Sequence, residues 1–235
     1  MDFTVVVMAG GTGKRFSSSI YKQLYKLNRI PMIQHVIDAF RSVGVNKVVV
    51  IGNNNIYESL VGLDGITDII IQDKPLGTFH AVWKCFSTLK TKYTLIVPAD
   101  KPFIDPKNIK LMLESSCNCI LGYNDTSHKP ILLNDDDMNL IKIIEDVDDN
   151  TLYEKHKIRT GGVYCFKTEE LSCITLDDIG NYNKQNEYYL TDVIPILSSK
   201  VKIILVNKMS VSNINTFMDL ENHSNILNNS ISEHN

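Results

Sequence analysis

The sequence predicts an α/β fold built on a mainly parallel sheet, and three observations predict it. A β-branched run, Thr4 to Met8, empties into Gly10 and Gly11; a run of that kind bounded by glycine is a buried strand followed by a tight turn. Pro31 precedes apolar positions Met32, Ile33, Val36, Ile37 and Phe40 at a 3.6-residue period, which is a helix ending before Gly44. Further strand-like runs recur with room for one helix between neighbours. Strand–helix–strand units at this spacing make parallel pairs with right-handed crossovers.

The remaining elements follow in order. Lys47 to Ile51, Asp68 to Ile71 and Tyr93 to Val97 read as the second to fourth strands, with a helix over Thr78 to Leu89 between the last two. Pro106 opens a helix toward Ser115, and Cys119 to Leu121 is the next strand. Beyond this point the texture changes. Ile131 to Leu133, Ile141 to Ile144 and Gly162 to Phe166 are short strands around acidic turns such as Asp135-Asp136-Asp137. Tyr189 to Leu197 reads as a helix in spite of Pro195, and Lys202 to Val206 as a strand. Residues 222–235, rich in Asn, Ser and His, read as a flexible tail, leaving 1–221 as one domain with a smaller second lobe. There is no internal repeat and no hexapeptide periodicity.

Composition narrows the function classes. With 235 residues the chain is long enough to bury a proper core, and its formal charge of −3 gives no general affinity for nucleic acid or acidic membranes. No apolar run approaches the roughly 18 residues of a membrane span, and Val5 to Met8 runs straight into glycines rather than into a leader. The 5 cysteines are an odd number without zinc-site spacing, which reads as reduced thiols in a cytosolic protein. The 6 histidines are scattered and form no close ligand pair.

The chemistry concentrates at the first glycine turn. In an open α/β sheet ligands bind beyond the carboxyl ends of the strands. Gly10, Gly11 and Gly13 let the chain turn tightly enough to present backbone N–H groups to an anion, and Lys14, Arg15 and Lys22 crowd the same corner. A ligand-free βα turn explains the glycines but not the cations. Two familiar phosphate motifs fail. A P-loop needs glycine where Met8 stands and Ser or Thr where Arg15 stands; the dinucleotide fingerprint needs glycine where Phe16 stands. An ordinary P-loop kinase and a nicotinamide dehydrogenase are therefore unsupported.

What remains, Met8-Ala9-Gly10-Gly11-Thr12-Gly13-Lys14-Arg15-Phe16 with Tyr21-Lys22 after it, resembles the L-x-x-G-x-G-T-R-M and later P-K of the sugar-phosphate nucleotidyltransferases. Three more stretches sharpen the likeness. Gln72 to Val82 resembles the Q-x-x-x-L-G-T-x-H-A segment of uridylyltransferases, and Thr78 there also suits a helix cap. Pro98-Ala99-Asp100-Lys101-Pro102 resembles the family's G-D-x-P, although a lone Asp there also suits a turn. Glu187-Tyr188-Tyr189-Leu190-Thr191-Asp192 is similar to the E-Y-Y-L-T-D stretch of the bacterial N-acetylglucosamine-1-phosphate uridylyltransferases. The resemblance covers residues 3 to about 220 and is to the pyrophosphorylase domain of that family, without its β-helix half.

The resemblance implies a Rossmann-like sheet of the GT-A-like nucleotidyltransferase type with a small sugar-binding lobe. It implies UTP and a sugar 1-phosphate as substrates, Mg²⁺ as cofactor and a cytoplasmic enzyme, and leaves the oligomeric state open. It puts uridine on the backbone at Ala9 and Gly10 with Gln72, Gly77 and Thr78, and the triphosphate on Gly11, Gly13, Arg15 and Lys22. Asp100 and Asn215 would hold the metal; Glu145, Tyr189 and Thr191 would face the sugar. Arg15 and Lys22 are the implied catalytic cations. A phosphate monoester's second pKa is about 6, so the nucleophile is already ionised at neutral pH and no general base is needed.

Several positions depart from that family. Tyr21 replaces the proline before the lysine, and Thr126-Ser127-His128-Lys129-Pro130-Ile131 replaces a glycine-bearing sugar loop. Arg159-Thr160-Gly161 puts an arginine where an asparagine meets the sugar. Lys129 and Arg159 both add positive charge on the sugar side, so an acceptor more anionic than N-acetylglucosamine 1-phosphate stays open. Two rivals stay open as well. Tyr21-Lys22-Gln23-Leu24 also resembles the methylerythritol-phosphate cytidylyltransferases, which lack E-Y-Y-L-T-D. The altered sugar loop also fits a non-catalytic nucleotide-sugar-binding regulatory protein, though such a protein has no need of Arg15, Lys22, Asp100 and Asn215 together.

Overall fold

The computed structural model describes residues 2–11, 21–126, 130–144, 155–183, 185–216 and 218–219. The strands in chain order are β1 (Phe3–Met8), β2 (Lys26–Leu27), β3 (Ile30–Pro31), β4 (Lys47–Gly52), β5 (Asp68–Ile71), β6 (Tyr93–Pro98), β7 (Cys119–Asn124), β8 (Ile131–Asn134), β9 (Asn139–Ile144), β10 (Ile158–Lys167) and β11 (Val201–Leu205). Apart from β2 and β3, which pair with each other, they form one sheet in the order β5-β4-β1-β6-β10-β7-β11-β9-β8. Parallel pairing joins β5, β4, β1 and β6, and again β7 with β11. β10 runs antiparallel to both β6 and β7, so those two point the same way; β9 is the other reversed strand. The sheet is thus mostly parallel in direction, and the exits of β1, β4, β5, β6, β7 and β11 share one edge.

Alternation along β1 explains why the sheet is covered on both faces. Val5 and Val7 enter one hydrophobic cluster and Val6 the other, all fully buried, because successive strand side chains point to opposite faces. The first cluster takes Ile33, Val36, Ile37 and Phe40 of helix α1 (Met32–Ser42). α2 (Tyr57–Val61) adds Leu60 to the same face. The second cluster takes Phe79, Ala81 and Val82 of α3 (Thr78–Lys84). α4 (Pro106–Ser115) joins the first face through Ile109, Met112 and Leu113, its start fixed by Asp105, whose side chain accepts from Lys107 N at 2.8 Å. Burying each such Val, Leu, Ile or Phe contributes about 1.5–3 kcal/mol.

Three elements differ from their sequence reading, each for a local reason. The segment expected as a helix over Tyr189 to Leu197 is a 3-10 helix, Leu190–Ile196, because Pro195 lies inside it and lacks the N–H that an α-helix would need there. α3 stops at Lys84 and continues through single turns, Thr88 N to Cys85 O at 2.9 Å and Leu89 N to Phe86 O at 3.3 Å. β10 begins at Ile158, earlier than expected, and absorbs a register shift between Thr160 and Tyr164 around Gly161 and Gly162; its two extra residues against β7 bend this interior strand at that point. The expected tail, 222–235, lies outside the described residues. All five cysteines are free thiols. No helix among the described residues is long and apolar enough to cross a membrane.

Candidate active site

The turn after β1 is tied down from behind. Ala9 N donates to Ile51 O at 2.7 Å, extending the β1–β4 ladder by one residue. Gln23 Nε2 donates to Ala9 O at 2.5 Å and Gly11 O at 3.3 Å, and Asn53 Nδ2 donates to Gly10 O at 3.1 Å. A trans peptide points its N–H away from its C=O, so anchoring the Ala9 and Gly10 carbonyls aims the Gly10 and Gly11 N–H groups the other way. Both glycines line a cavity of about 610 Å³ at the strand exits, together with Met8, Ala9, Lys22 and Gln72. The expected Gly13 and Arg15 lie outside the described residues, as does Lys14.

A second wall of this cavity comes from the segment after β5. Gln72 N donates to Gly52 O at 2.8 Å, carrying the β4–β5 pairing one residue onward, and the residue is 8% exposed. Gln72 Nε2 donates to Gly77 O at 3.1 Å and meets His80 Nδ1 at 2.9 Å. Gly77 has φ +110, and a Cβ there would lie 2.6 Å from Tyr188 N, so only glycine fits. Tyr188 N donates to Leu76 O and Phe79 N to Tyr188 O, both at 2.8 Å. Thr78 does not cap α3: Gly77 is the N-cap, and the Thr78 hydroxyl accepts from Leu190 N at 2.8 Å. The Glu187–Asp192 stretch therefore docks by its backbone on the Gln72–Thr78 turn and brings Glu187 to the cavity wall.

The cation end lies at the exit of β6. Ala99 N donates to Met8 O at 3.0 Å, and Ile214 N to Asp100 O at 2.9 Å. Lys22, in a single 3-10 turn (Lys22–Leu24), places Nζ 2.5 Å from Asp100 Oδ2 and 3.0 Å from Asn215 Oδ1. Asn213 Nδ2 donates to the other Asp100 oxygen at 3.2 Å, and Asp219 Oδ2 accepts from Asn215 N at 2.8 Å, fixing the turn that carries Asn215. Next to Asp100, Lys101 is 2% exposed and donates to Val211 O at 2.5 Å and to Asn213 Oδ1. Among the described residues no group of three or more His, Cys, Asp or Glu side chains could hold a metal. Asp100 and Asn215 nevertheless present two hard oxygen donors to one point, and an ammonium already stands between them. That donor set fits Mg²⁺, which is held by one or two carboxylates and completed by phosphate oxygens and water.

A second cavity of about 460 Å³ adjoins the first, sharing Pro98 and Asn215 with it. Tyr123, Thr160, Gly161 and Gly162 form its sheet wall, and Lys101 and Lys208 add cationic side chains. The β10 irregularity is what opens this wall: Gly162 has φ +64, and a Cβ on Gly161 would lie 2.8 Å from Leu121 O.

The expected sugar-side residues are not brought together here. Arg159 is 0% exposed and lines neither cavity; its guanidinium donates to His156 O and, at 3.3 Å, to Ile158 O. Carbonyl partners of this kind are what a buried cation requires, and they hold the guanidinium outside the lining of the smaller cavity. Tyr189 donates its hydroxyl to Gln185 Oε1 at 2.6 Å, and the buried Thr191 Oγ1 has no hydrogen-bond partner among the described residues; neither residue lines either cavity. Glu145 and Lys129 lie outside the described residues. Sequence reasoning missed Gln23, Asn53, Lys101, Asn213 and Glu187. Gln23 and Asn213 stand one and two positions from residues it did select, and their polar amides were the available signal.

The chain matches the MobA-like NTP transferase domain over residues 5–156. It is 32% identical to the bifunctional protein GlmU of Lactobacillus delbrueckii over 218 residues, which is 89% of this chain and 47% of that protein. It is also 32% identical to the GlmU of Caldicellulosiruptor saccharolyticus over 234 residues, 92% of this chain and 50% of that one. The chain thus spans about half the length of these relatives. A structure of a putative glucose-1-phosphate thymidylyltransferase from Bacillus anthracis superposes with a TM-score of 0.74 at 16% identity, covering 95% of this chain and 94% of that one. HddC from Yersinia pseudotuberculosis gives 0.72 at 19% identity, covering 97% and 100%. A CMP:2-keto-3-deoxy-manno-octonic acid synthetase complexed with CTP gives 0.71 at 15%, covering 98% and 100%. At these identities the structures establish the shared fold. With more than half of its length matched to one family and its fold common to sugar nucleotidyltransferases, the chain belongs to the MobA-like NTP transferase domain family.

Proposed function

We propose that the protein transfers a uridylyl group from UTP to a sugar 1-phosphate, with N-acetylglucosamine 1-phosphate as acceptor, giving UDP-N-acetylglucosamine and pyrophosphate. The observation that carries this reading is the Lys22–Asp100–Asn215 cluster set between two adjoining cavities, one walled by Gln72 and the glycine turn. In the larger cavity Gln72, Thr78 and the backbone at Ala9, Gly10 and Gly77 face the base, and the N–H group of Gly11 faces phosphate. The smaller cavity takes the sugar, with Thr160, Gly161 and Gly162 along its wall.

The chemistry needed of the protein is electrostatic. The sugar phosphate is already ionised at neutral pH, so its oxygen attacks the α-phosphorus without a general base, and pyrophosphate leaves. Two polyanions must meet, and charge builds on the leaving group. Lys22 answers this with a fixed ammonium, and its partners Asp100 and Asn215 hold that ammonium in place before substrate arrives. Asp100 and Asn215 would hold Mg²⁺ in exchange for that ammonium, leaving Lys22 for the phosphates, and the metal when bound supplies charge neutralisation there. Arg15 and Gly13 are proposed to join the triphosphate side. The proposed partners are thus small molecules and the proposed compartment is the cytoplasm.

Arg159 is buried and lines neither cavity, so it makes no direct contact there, although its charge is felt at Tyr123 in the wall of the smaller one. The test is pyrophosphate release with UTP and Mg²⁺ across a panel of sugar 1-phosphates, with dTTP, CTP and GTP run in parallel. UTP with N-acetylglucosamine 1-phosphate is expected to be the fastest pair; faster release with CTP would instead support a cytidylyltransferase. Binding of UDP-N-acetylglucosamine without release from any pair would support the regulatory reading.

A further inference from the structure

A side-chain amide is a directional device. Its nitrogen end carries two donors and its oxygen end only accepts. In Gln72 both donors are accounted for: Nε2 lies 3.1 Å from Gly77 O and 2.9 Å from His80 Nδ1. A carbonyl oxygen only accepts, so the nitrogen end must face Gly77. His80 Nδ1 must then accept as well, which fixes a neutral imidazole with its proton on Nε2. Burial, and then the Lys84 charge, lowers the His80 pKa below its usual value and favours that neutral form. The oxygen end of the amide points toward the glycine turn: a Cβ on Gly10 would lie 3.1 Å from Gln72 Oε1. Gly10 and Gln72 both line the larger cavity. What that cavity receives from Gln72 is therefore an acceptor, not a donor.

We propose that His80 is a positioning residue for base selectivity: by accepting from Gln72 Nε2 it holds Oε1 toward the bound base. The site then favours pyrimidines with an N–H at ring position 3 over cytosine. Uracil and thymine present that N–H as a donor, whereas cytosine presents a bare acceptor at the same place. An acceptor facing an acceptor leaves both unpaired, and Gln72 itself is buried. Reversing the amide to suit cytosine would set Oε1 against Gly77 O and either lose the His80 bond or force the imidazole proton from Nε2 to Nδ1. Without His80 only the Gly77 bond opposes the reversal. This inference rests on the nucleotide reading of the larger cavity.

The test is direct titration of UTP and CTP, without turnover, against the wild type and the variants His80→Leu, His80→Asn and His80→Gln, with thermal melts alongside. The Asn side chain can place an acceptor where Nδ1 stands; that of Gln reaches the Nε2 position instead. The UTP-to-CTP affinity ratio is expected to fall roughly threefold to tenfold in His80→Leu, to stay low in His80→Gln and to recover in His80→Asn. A wild type that binds CTP at least as well as UTP overturns the uridylyl reading, and this inference with it. A wild type that prefers UTP while the folded His80→Leu and His80→Gln keep its full ratio overturns the positioning role alone. Should His80→Leu fail to fold, the ratio in His80→Gln decides.

Discussion

Lys22 bridges Asp100 and Asn215 with a side chain 15% exposed, sequestered enough for its charge to act at short range and open enough to meet a ligand. A preorganised donor of this sort is worth about 10²–10³ in rate. Lys22→Ala is expected to lower kcat by that factor while the melting temperature stays close to wild type. Turnover within a few-fold of wild type would remove Lys22 from the chemistry. Gly77 makes the complementary case for backbone. At φ +110, with Tyr188 N 2.6 Å from the place a Cβ would take, Gly77→Ala is strained and blocked at once. A loss of about 1–3 kcal/mol in unfolding free energy is expected, with a raised KM for UTP. Chemical denaturation and initial rates measure the two, and wild-type values for both would contradict the close approach.

At the scale of elements, the Glu187–Asp192 stretch shows what a motif in the sequence can and cannot convey. Its string of residues was legible as a site signal, and its backbone does dock on the Gln72–Thr78 turn. Its side chains were read as facing the sugar, yet Tyr189 turns to Gln185. Side-chain direction at an irregular 3-10 start follows from individual contacts, here one only four residues back, which periodicity does not encode. A second element-level feature lay beyond sequence reading altogether. Glu170 accepts from Ser199 N at 3.0 Å, Ser199 Oγ at 2.5 Å and Asn118 Nδ2 at 3.1 Å, and pairs with Lys167 at 3.0 Å, tying β10 to the approaches of β7 and β11. Burial pushes its pKa up, but those donors outweigh it and bring the carboxyl down to about 2 from an ordinary 4.5. A depressed folded-state pKa gives stability that is fully present above pH 4.5 and lost as pH falls toward 2. Glu170→Gln is expected to cost roughly 1–3 kcal/mol at neutral pH and to flatten stability across that acid window. Parallel acid-unfolding curves for the two proteins would contradict the tie.

For the whole molecule, the strand order explains why one edge collects the chemistry. β1, β5 and β6 all exit on the same side, so Gly10, Gln72 and Asp100 meet although they are far apart in sequence. This much was legible, because β-branched runs followed by glycine or acid mark strand exits in a parallel sheet. The insertion of β10 between β6 and β7 was not legible: a reversed strand carries the same hydrophobic pattern as a parallel one. Nor was the second cavity, whose wall depends on a register shift at Gly161 and Gly162. The central claim, that a nucleotide in the larger cavity gives up its α-phosphoryl end to a phosphate in the smaller one, is tested most directly by the fate of label. UTP labelled at the α-phosphorus should deliver its label to the nucleotide sugar, and UTP labelled at the γ-phosphorus should deliver it to pyrophosphate. Appearance of γ-label in orthophosphate or on the sugar, with none in pyrophosphate, would contradict the claim.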